Sequence, residues 1–233
     1  MRGVAVALAL VAATPAAAAQ HEAVAAPAAT DPEQAEVDRA ATLVHAGKPA
    51  EAIALLDPLI AAQEKRRQGD TRDVYCARSP AEILLYSGRA AQAKKPAIVL
   101  GEPACYSIFM KGFALVDLKR SDEAKPYFER AVAMAPSNAQ FIAELAEWYK
   151  NRRDWDTAYA LFQRAEAAAA LSPKDTETFE RTRAMRGQAF VLVERGKLDE
   201  AEKLYRACLK LNPDDERSKQ ELQYIAEQRG KRI

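Results

Sequence analysis

The sequence predicts an all-α protein, an α-solenoid of antiparallel helix hairpins that ends in a capping helix. Nine glycines and twelve prolines among 233 residues are too few for a protein with many turns. Alanine supplies much of the 49% apolar share and stands beside 29% charged residues, and this composition favours helices. A repeat of short alanine-containing and aromatic-containing segments indicates an array of helices rather than a single bundle.

The charge of the chain is balanced, with 34 Lys and Arg residues against 33 Asp and Glu residues. A protein that binds nucleic acid or an anionic membrane through its net charge carries an excess of basic residues. We therefore expect neither of these as a partner.

Residues 1–19 have the pattern of a secretory signal peptide. Arg2 gives a positive start, residues 3–13 are apolar, and Ala17–Ala19 fit the small-residue rule for cleavage, which would leave Gln20 as the first mature residue. Eleven apolar residues are too few to span a bilayer, which needs about 20, so no membrane insertion is expected after cleavage. The signal-peptide pattern predicts export. Because the alanine-rich composition favours a bacterial source, we expect the exported protein to be periplasmic or secreted.

Residues 20–32 contain two prolines and no hydrophobic period. This composition predicts a disordered Ala/Pro tether between the signal peptide and the helices.

A repeat of 34 residues follows the tether. Segments 122–131 and 156–165 align at this spacing, and both read Ala-x3-Phe-x2-Ala. A third copy occupies 199–208, 43 residues after the second, and a fourth lies near residues 50–56. A fixed period of this length is the sequence signature of a stacked array of helical hairpins.

These segments resemble the tetratricopeptide repeat family, whose 34-residue unit consists of a helix A, a turn and a helix B. The matching positions of the best unit are Ile108, Lys111, Gly112, Leu115, Ala124, Phe128, Ala131 and Pro136. The resemblance predicts units at 33–66, 71–104 (a degenerate copy), 105–138, 139–172 and 182–215, with a capping helix at 215–229.

Packing physics supports the same arrangement. Small residues at Ala124, Ala158 and Ala201 would let two helices approach closely, and aromatic residues four positions later would fill the space between units. Two prolines, Pro58 and Pro96, fall inside predicted B helices and should kink or split them. The nine residues inserted after Ala170 should lengthen helix A of the last unit, with Ser172-Pro173 at its start.

The sequence gives little sign of catalytic chemistry. His45 is the single histidine after the tether, and nothing near it in sequence suggests an active site. His, Cys and carboxylate residues form no cluster with metal-ligand spacing, and the scattered glycines form no phosphate loop. We expect no enzyme activity, no metal site and no cofactor.

Three cysteines are spaced by 29 and 103 residues, which fits neither a redox motif nor a zinc site. In an oxidising compartment, two states stay open for Cys76 and Cys105: a disulfide between neighbouring units, or two buried thiols. Cys208 occupies a small-residue packing position and should be a reduced core thiol.

The family resemblance also implies a partner-binding surface. In this family, positions 2, 5, 9, 12 and 13 of each helix A line the concave face of the solenoid. Those positions here are Tyr106, Phe109, Phe113, Val116, Asp117, Gln140, Ala143, Glu147, Lys150, Asn151, Arg183, Arg186, Phe190, Val193 and Glu194. The surface would grade from an aromatic patch to a polar and basic one, suited to a peptide with an acidic end. Whether the aromatic residues face the groove or pack in the core stays open.

From these observations we expect an exported scaffold or adaptor that binds a peptide or protein partner in the concave groove. The alternative is a structural subunit of a cell-envelope assembly, which exposed apolar residues on the first hairpin or the capping helix would favour. The sequence does not decide the oligomeric state.

Overall fold

The computed structural model describes residues 32–230, so the predicted signal peptide and residues 20–31 of the predicted tether lie outside the described residues. Within 32–230 the chain forms ten α-helices, two β-strands and one short 3-10 turn. In chain order these are α1 (Pro32–His45), α2 (Pro49–Arg66), β1 (Asp73–Ala77), α3 (Pro80–Ala93), β2 (Ala97–Gly101), α4 (Pro103–Asp117), α5 (Ser121–Met134), α6 (Ala139–Asn151), α7 (Trp155–Ala168), the 3-10 turn (Ala169–Leu171), α8 (Glu177–Glu194), α9 (Leu198–Leu211) and α10 (Glu216–Gly230).

Consecutive helices pair as hairpins: α1 with α2, α4 with α5, α6 with α7, and α8 with α9. The alanines at 124, 158 and 201 are fully buried, as the close approach of two helices requires. The aromatic residues four positions later, Phe128, Phe162 and Tyr205, are buried beside them. The predicted all-α solenoid of helical hairpins is therefore confirmed.

The turn between the two helices of each hairpin has the same backbone conformation in all four copies. Gly47, Lys119, Arg153 and Gly196 each have a φ between 59° and 73°. The left-handed region favours glycine, and two of the four copies use it. The repeat thus extends to a backbone feature that the side-chain pattern alone does not reveal.

Residues 71–104 differ from the prediction, because they do not form a degenerate helical hairpin. They fold as β1, α3 and β2, and the two strands pair in parallel with Asp73 opposite Ala97. The apolar run 97–100, between Pro96 and Gly101, is too short for a helix and rich in β-branched residues, which favours a strand. Ser79 caps α3 by accepting a hydrogen bond from the Glu82 N–H at 3.2 Å. We call residues 73–101 the βαβ insertion.

The βαβ insertion leaves the stacking of the hairpins intact. Helices α1 and α2 pack directly on α4, although the insertion separates them in sequence. Between residues 32 and 230 the solenoid therefore has four hairpins rather than five. A disulfide between Cys76 on β1 and Cys105 on α4, with Cα atoms 6.1 Å apart, joins the insertion to the core.

A buried ionic cluster attaches the other side of the insertion to α8. The Arg78 guanidinium donates to both Glu180 carboxylate oxygens at 2.6 and 2.8 Å, and to Ser172 Oγ at 2.9 Å. The Arg78 backbone N–H donates to Glu82 at 2.8 Å. All three charged side chains are almost completely buried. Burial raises the pKa of Glu82, and the neighbouring Arg78 opposes that rise.

Another contact ties α3 to the junction between α5 and α6. The backbone N–H of Ser137 donates to the Tyr86 hydroxyl at 3.1 Å, and Tyr86 stacks on Tyr75 of β1 with ring centroids 5.3 Å apart. The insertion therefore contacts two successive junctions between repeats, at Ser137 and at Ser172.

Three further expectations are corrected. Helix α2 continues through Pro58, and Pro96 lies before β2 rather than inside a helix. Helix α8 is lengthened to 18 residues, as expected, but it begins at Glu177 and not at Pro173. The 3-10 turn at 169–171 lies at the start of the segment inserted after Ala170, and Leu171 is the turn's one inserted residue. No helix between residues 32 and 230 combines the length and apolar character needed to cross a membrane.

Candidate functional site

A cleft of about 400 Å³ lies where the same face of α4, α6 and α8 meets the capping helix. We call it the helix-A cleft. Its lining residues are Phe113, Glu144, Glu147, Lys150, Asn151, Arg183, Arg186, Gly187, Phe190, Tyr205, Arg217 and Glu221. Three successive A helices contribute because the 34-residue repeat places equivalent positions side by side.

The structure brings together many of the residues predicted from the concave positions. Phe113 from α4 stands at one end, Glu147, Lys150 and Asn151 come from α6, and the predicted arginines come from α8. The Lys150 ammonium lies over the Phe190 ring, 4.8 Å from its centroid. The cleft thus combines apolar rings with charged groups at close range.

Tyr106 and Phe109 of the aromatic patch pack with the core, which corrects the groove assignment of Phe109, whereas Phe113 lines the cleft. Its side chain is 2% exposed and stacks on Phe141 of the next repeat, with centroids 4.6 Å apart. Tyr106 is partly buried in the same stack, 6.2 Å from Phe141. Phe141 covers these rings because successive repeats pack face to face, so a partner cannot reach Phe109. Asp117 is exposed at the end of α4, outside the cleft lining.

A second, smaller cavity of about 160 Å³ adjoins the cleft through Arg183. It is lined by the predicted Gln140 and Ala143 on α6 and by Phe179 on α8. Phe179 is 63% exposed and lies in the part of α8 that precedes the repeat unit. The added length of α8 therefore places an aromatic side chain beside the groove positions.

The cations of the cleft are held by acidic neighbours. Arg183 pairs with Glu144, and Lys150 pairs with Glu147 one turn before it. Arg186 pairs with Asp215 at 2.7 Å. Basic residues at the concave positions predicted a basic surface, but the pairs make most of the cleft electrically balanced.

The capping helix supplies two residues that the sequence reasoning did not assign to the site. Arg217 and Glu221 lie four residues apart on α10 and both line the cleft. Arg217 is exposed and makes no salt bridge with the described residues. Burial raises the pKa of Glu221, although the nearby Lys150 opposes the rise. The sequence could have indicated this pair, because residues four apart on a helix that borders the groove share one face.

Tyr205 of α9 also lines the cleft. Tyr205 is buried, and burial raises the pKa of its hydroxyl far above the usual value. Behind it, Cys208 is fully buried, and burial raises the pKa of its thiol to about 11. A protonated, inaccessible thiol is a poor nucleophile.

Other reactive groups stand apart from the cleft. His45 is exposed at the end of α1, with Nδ1 2.7 Å from the Ala41 carbonyl oxygen. Within the described part of the chain, no group of three His, Cys, Asp or Glu side chains is placed to hold a metal ion. The candidate site therefore consists of ion pairs, an amide and rings that can contact a partner.

Comparisons with known sequences identify the repeats. Three family models described as tetratricopeptide repeat match residues 106–138, 142–177 and 182–215. No curated protein matches the chain at a significant level.

Solved structures share the fold. PilF of Pseudomonas aeruginosa aligns over 85% of this chain and 69% of its own, with a TM-score of 0.58 and 13% identity. A putative kinesin light chain of Podosopora anserina aligns over 88% of this chain and 90% of its own, with a TM-score of 0.58 and 18% identity. MamA AMB-1 aligns over 84% and 88%, with a TM-score of 0.52 and 17% identity.

At these identities the structural similarity concerns the fold alone. The sequence matches fall on the hairpins α4–α5, α6–α7 and α8–α9, which form the walls of the helix-A cleft. Residues 106–138, 142–177 and 182–215 of this chain are therefore tetratricopeptide repeats within an all-α solenoid.

Proposed function

We propose that this chain is an exported, non-enzymatic scaffold that binds a peptide or protein partner in the helix-A cleft. The observation that carries the proposal is the cleft itself, in which three A helices and the capping helix present charged, amide and aromatic groups around one space of about 400 Å³. Tetratricopeptide repeats are typically interaction scaffolds, which supports the same class of function.

The chemistry of the cleft favours a polar segment of polypeptide. The paired carboxylates and cations can each exchange one partner for a backbone or side-chain group of a bound peptide. Asn151, exposed at the rim, offers both a donor and an acceptor to a peptide bond. Phe113 and Phe190 provide rings against which an apolar side chain can pack.

An acidic end of the partner would be placed near the capping helix. Arg217 has no carboxylate partner among residues 32–230, whereas Arg183 and Arg186 already have one. A carboxylate near Arg217 would also neutralise the cation without breaking an existing pair. The expectation of an acidic end therefore moves from the repeats to α10.

Site-specific photo-crosslinking tests the proposal. A photoreactive amino acid is placed at Asn151, at the cleft rim, or at Gln163, an exposed residue of α7 outside the cleft lining. After irradiation in envelope extract, we expect a covalent adduct from position 151 and none from position 163, and mass spectrometry identifies the partner.

A variant provides the matched control. Arg217→Ala should reduce the adduct at position 151, because it removes the cation that is free to bind the partner. Lys210→Ala, at an exposed position of α9, should leave the adduct unchanged. Equal adducts from positions 151 and 163, or an adduct unaffected by Arg217→Ala, would contradict binding in the cleft.

Export is tested separately. Fractionation of cells that express the full chain should place it in the envelope or medium, and intact-mass measurement should give a chain that begins at Gln20. A version without residues 2–19 should stay with the cytoplasmic fraction. Retention of the full chain in the cytoplasm would contradict export and leave the binding proposal intact.

One observation supports the alternative, a structural subunit of an envelope assembly. Tyr224 on the capping helix and Leu211 at the end of α9 are 45% and 46% exposed. The first hairpin carries no large apolar side chain with comparable exposure among its described residues. Sedimentation velocity distinguishes the two functions. Tyr224→Ser should dissociate an assembly that forms through the capping helix, and it should leave the sedimentation coefficient of a monomeric scaffold unchanged.

A further inference from the structure

The βαβ insertion has a strand edge whose backbone groups form no hydrogen bond with other described residues. The N–H of Asp73 donates to the Pro96 carbonyl oxygen at 2.9 Å, which sets the phase of the parallel ladder. In that phase the backbone groups of Ile98 and Leu100 face β1, and those of Ala97 and Val99 face outward. No hydrogen bond to those outward groups arises from residues 32–230. We call this row the β2 edge.

The two strands of the insertion differ in exposure. Strand β1 lies against α5, and its last two residues, Cys76 and Ala77, are buried. Every residue of β2 is at least partly exposed. An open row of donors and acceptors on a short apolar strand is a template for pairing with another extended chain.

Basic residues stand at both ends of the β2 edge. Lys94 and Lys95 precede the strand, are exposed, and form no salt bridge with described residues. At the other end, a cavity of about 260 Å³ is lined by Leu100, Gly101, Arg66 and Arg67, and also by Glu33. Because Glu33 pairs with Arg66, Arg67 is the basic residue that this end offers to a partner. Charge at both ends of an apolar strand favours a partner with acidic residues around an apolar centre.

Arg67 gives an independent indication of a missing acceptor. Its Nη1 atom is shielded from solvent and has no hydrogen-bond acceptor among the described residues. A buried donor of this kind is costly unless something accepts its hydrogen bond. The same side chain lines the cavity at the end of β2, where a carboxylate oxygen of a bound chain could accept that bond.

We propose that the β2 edge binds an extended peptide segment, apolar in the middle and acidic at both ends, which adds to the sheet as a third strand. Ala97 and Val99 would supply backbone hydrogen bonds, and the basic residues would select the acidic flanks. This site is separate from the helix-A cleft, so its occupant need not be the partner proposed there.

A second copy of the chain fits this edge less well. Two β2 edges paired antiparallel would place Lys94 and Lys95 of one copy opposite Arg66 and Arg67 of the other. Although Glu33 partly neutralises Arg66, three cations at each end would still face each other. Like charges across a strand pair are destabilising, so the charges favour an acidic segment over self-association.

The test measures binding of three fluorescein-labelled nonapeptides to the full mature chain by fluorescence anisotropy. The probe is Glu-Glu-Val-Thr-Val-Thr-Val-Glu-Glu. A charge-reversed peptide has lysine in place of each glutamate, and a third peptide has proline in place of the first threonine and the adjacent central valine, so that both edges of the strand lose an N–H. We expect the acidic peptide to bind, and both other peptides to bind at least about tenfold more weakly, because one repels the basic ends and the other cannot pair as a strand.

Variants of the chain locate the binding. Val99→Pro removes an outward N–H without removing a ladder bond, which an edge strand tolerates, and should weaken binding about tenfold. Lys94→Glu with Lys95→Glu should weaken it by a similar factor and does not rely on the fold tolerating a proline. The double variant Lys203→Glu with Lys210→Glu changes two exposed residues of α9. It carries the same charge change and should leave binding unchanged.

Amide hydrogen exchange adds a structural readout. Binding of the acidic peptide should slow exchange at Ala97 and Val99, and should leave the helix-A cleft unchanged. The proposal is overturned if the acidic peptide fails to bind, if the charge-reversed peptide binds equally well, or if the Lys94 and Lys95 variant binds as wild type. A concentration-dependent dimer that Val99→Pro dissociates would also overturn it, in favour of a second copy at this edge.

Discussion

The repeats and the βαβ insertion are stabilised in opposite ways. Three hairpins use the same contact, a buried alanine beside a buried aromatic residue, and the first uses Ala52 beside Leu56, so loss of one copy leaves similar contacts in its neighbours. The insertion is held by contacts that occur once: a disulfide, the Arg78 cluster and the Tyr86 hydroxyl. A repeated contact distributes stability along the chain, whereas a singular contact concentrates it in a few side chains.

The largest expected effect is at Arg78. Arg78→Ala would leave the carboxylates of Glu82 and Glu180 buried without their cation, and we expect a loss of about 3–5 kcal/mol in the free energy of unfolding. Urea denaturation followed by circular dichroism measures it. Arg89→Ala, at an exposed position of α3, is the control and should change stability by less than about 0.5 kcal/mol. Similar losses in the two variants would show that the insertion does not depend on this cluster.

Removal of the disulfide should come next. Replacing both Cys76 and Cys105 with serine frees a loop closed across 29 residues, for which chain entropy gives a loss of about 3–4 kcal/mol. Hydrogen exchange should become faster in residues 73–101 and change little in 139–211. Uniformly faster exchange would mean that the insertion and the repeats unfold as one unit, which would break the comparison.

Asp215 tests an ion pair at the junction between the repeats and the capping helix. Burial raises the pKa of Asp215, but the Ser218 hydroxyl at 2.8 Å and Arg186 outweigh burial and hold the pKa below its usual value. The carboxylate therefore contributes stability above its unfolded pKa of about 3.9, and this contribution is lost as the pH falls through the lower folded value.

We expect Asp215→Asn to lower the free energy of unfolding by about 1–3 kcal/mol at pH 7. The difference between variant and wild type should shrink as the pH falls below about 4. Thermal melts from pH 7 to pH 2 measure it, with Asp214→Asn as the exposed control. A difference that stays constant with pH would mean that Asp215 acts through packing rather than charge.

The smallest effects come from one substitution made in both regions. An added Cβ at Gly187, on α8, would come within 2.3 Å of the buried Phe162 ring, so Gly187→Ala should destabilise by about 1–3 kcal/mol. Gly88 is at an exposed position of α3, where an added Cβ meets nothing within 4 Å. Gly88→Ala should therefore stabilise by about 0.5–1 kcal/mol. Chemical denaturation measures the change in the free energy of unfolding for both variants. Changes of the same sign would contradict the contrast between the close contact at Gly187 and the free space at Gly88.

The same contrast explains what the sequence could predict. The burial of Ala124 and Ala158 between helices could be predicted from the sequence because the contact recurs at a fixed spacing. The pairing of Arg78 with Glu180 occurs once, over 102 residues, and leaves no period to detect. The strands of the insertion have five residues each, and a helical interpretation of 71–104 was wrong because the run 97–100 carries no helical period.

Prediction of the candidate site divides in a similar way. Lys150, Asn151 and Arg183 were found because repeat position determines which way a helix A side chain points. Phe109 occupies the repeat position equivalent to Arg186 but is covered by Phe141, so position alone does not give accessibility. Arg217 belongs to the capping helix, which has no repeat position from which its role could be predicted.

The long reach of Arg78 also bears on the order in which the molecule assembles. A chain emerging from the ribosome presents Arg78 well before Glu180, which lies 102 residues later. Each hairpin can close from contacts within its own 34 residues, whereas the insertion must wait for the start of α8. We therefore expect the last kinetic phase of refolding to report the docking of residues 73–101, after the hairpins have formed. During that interval the apolar strands stay exposed, and a chaperone that binds extended segments would find them there.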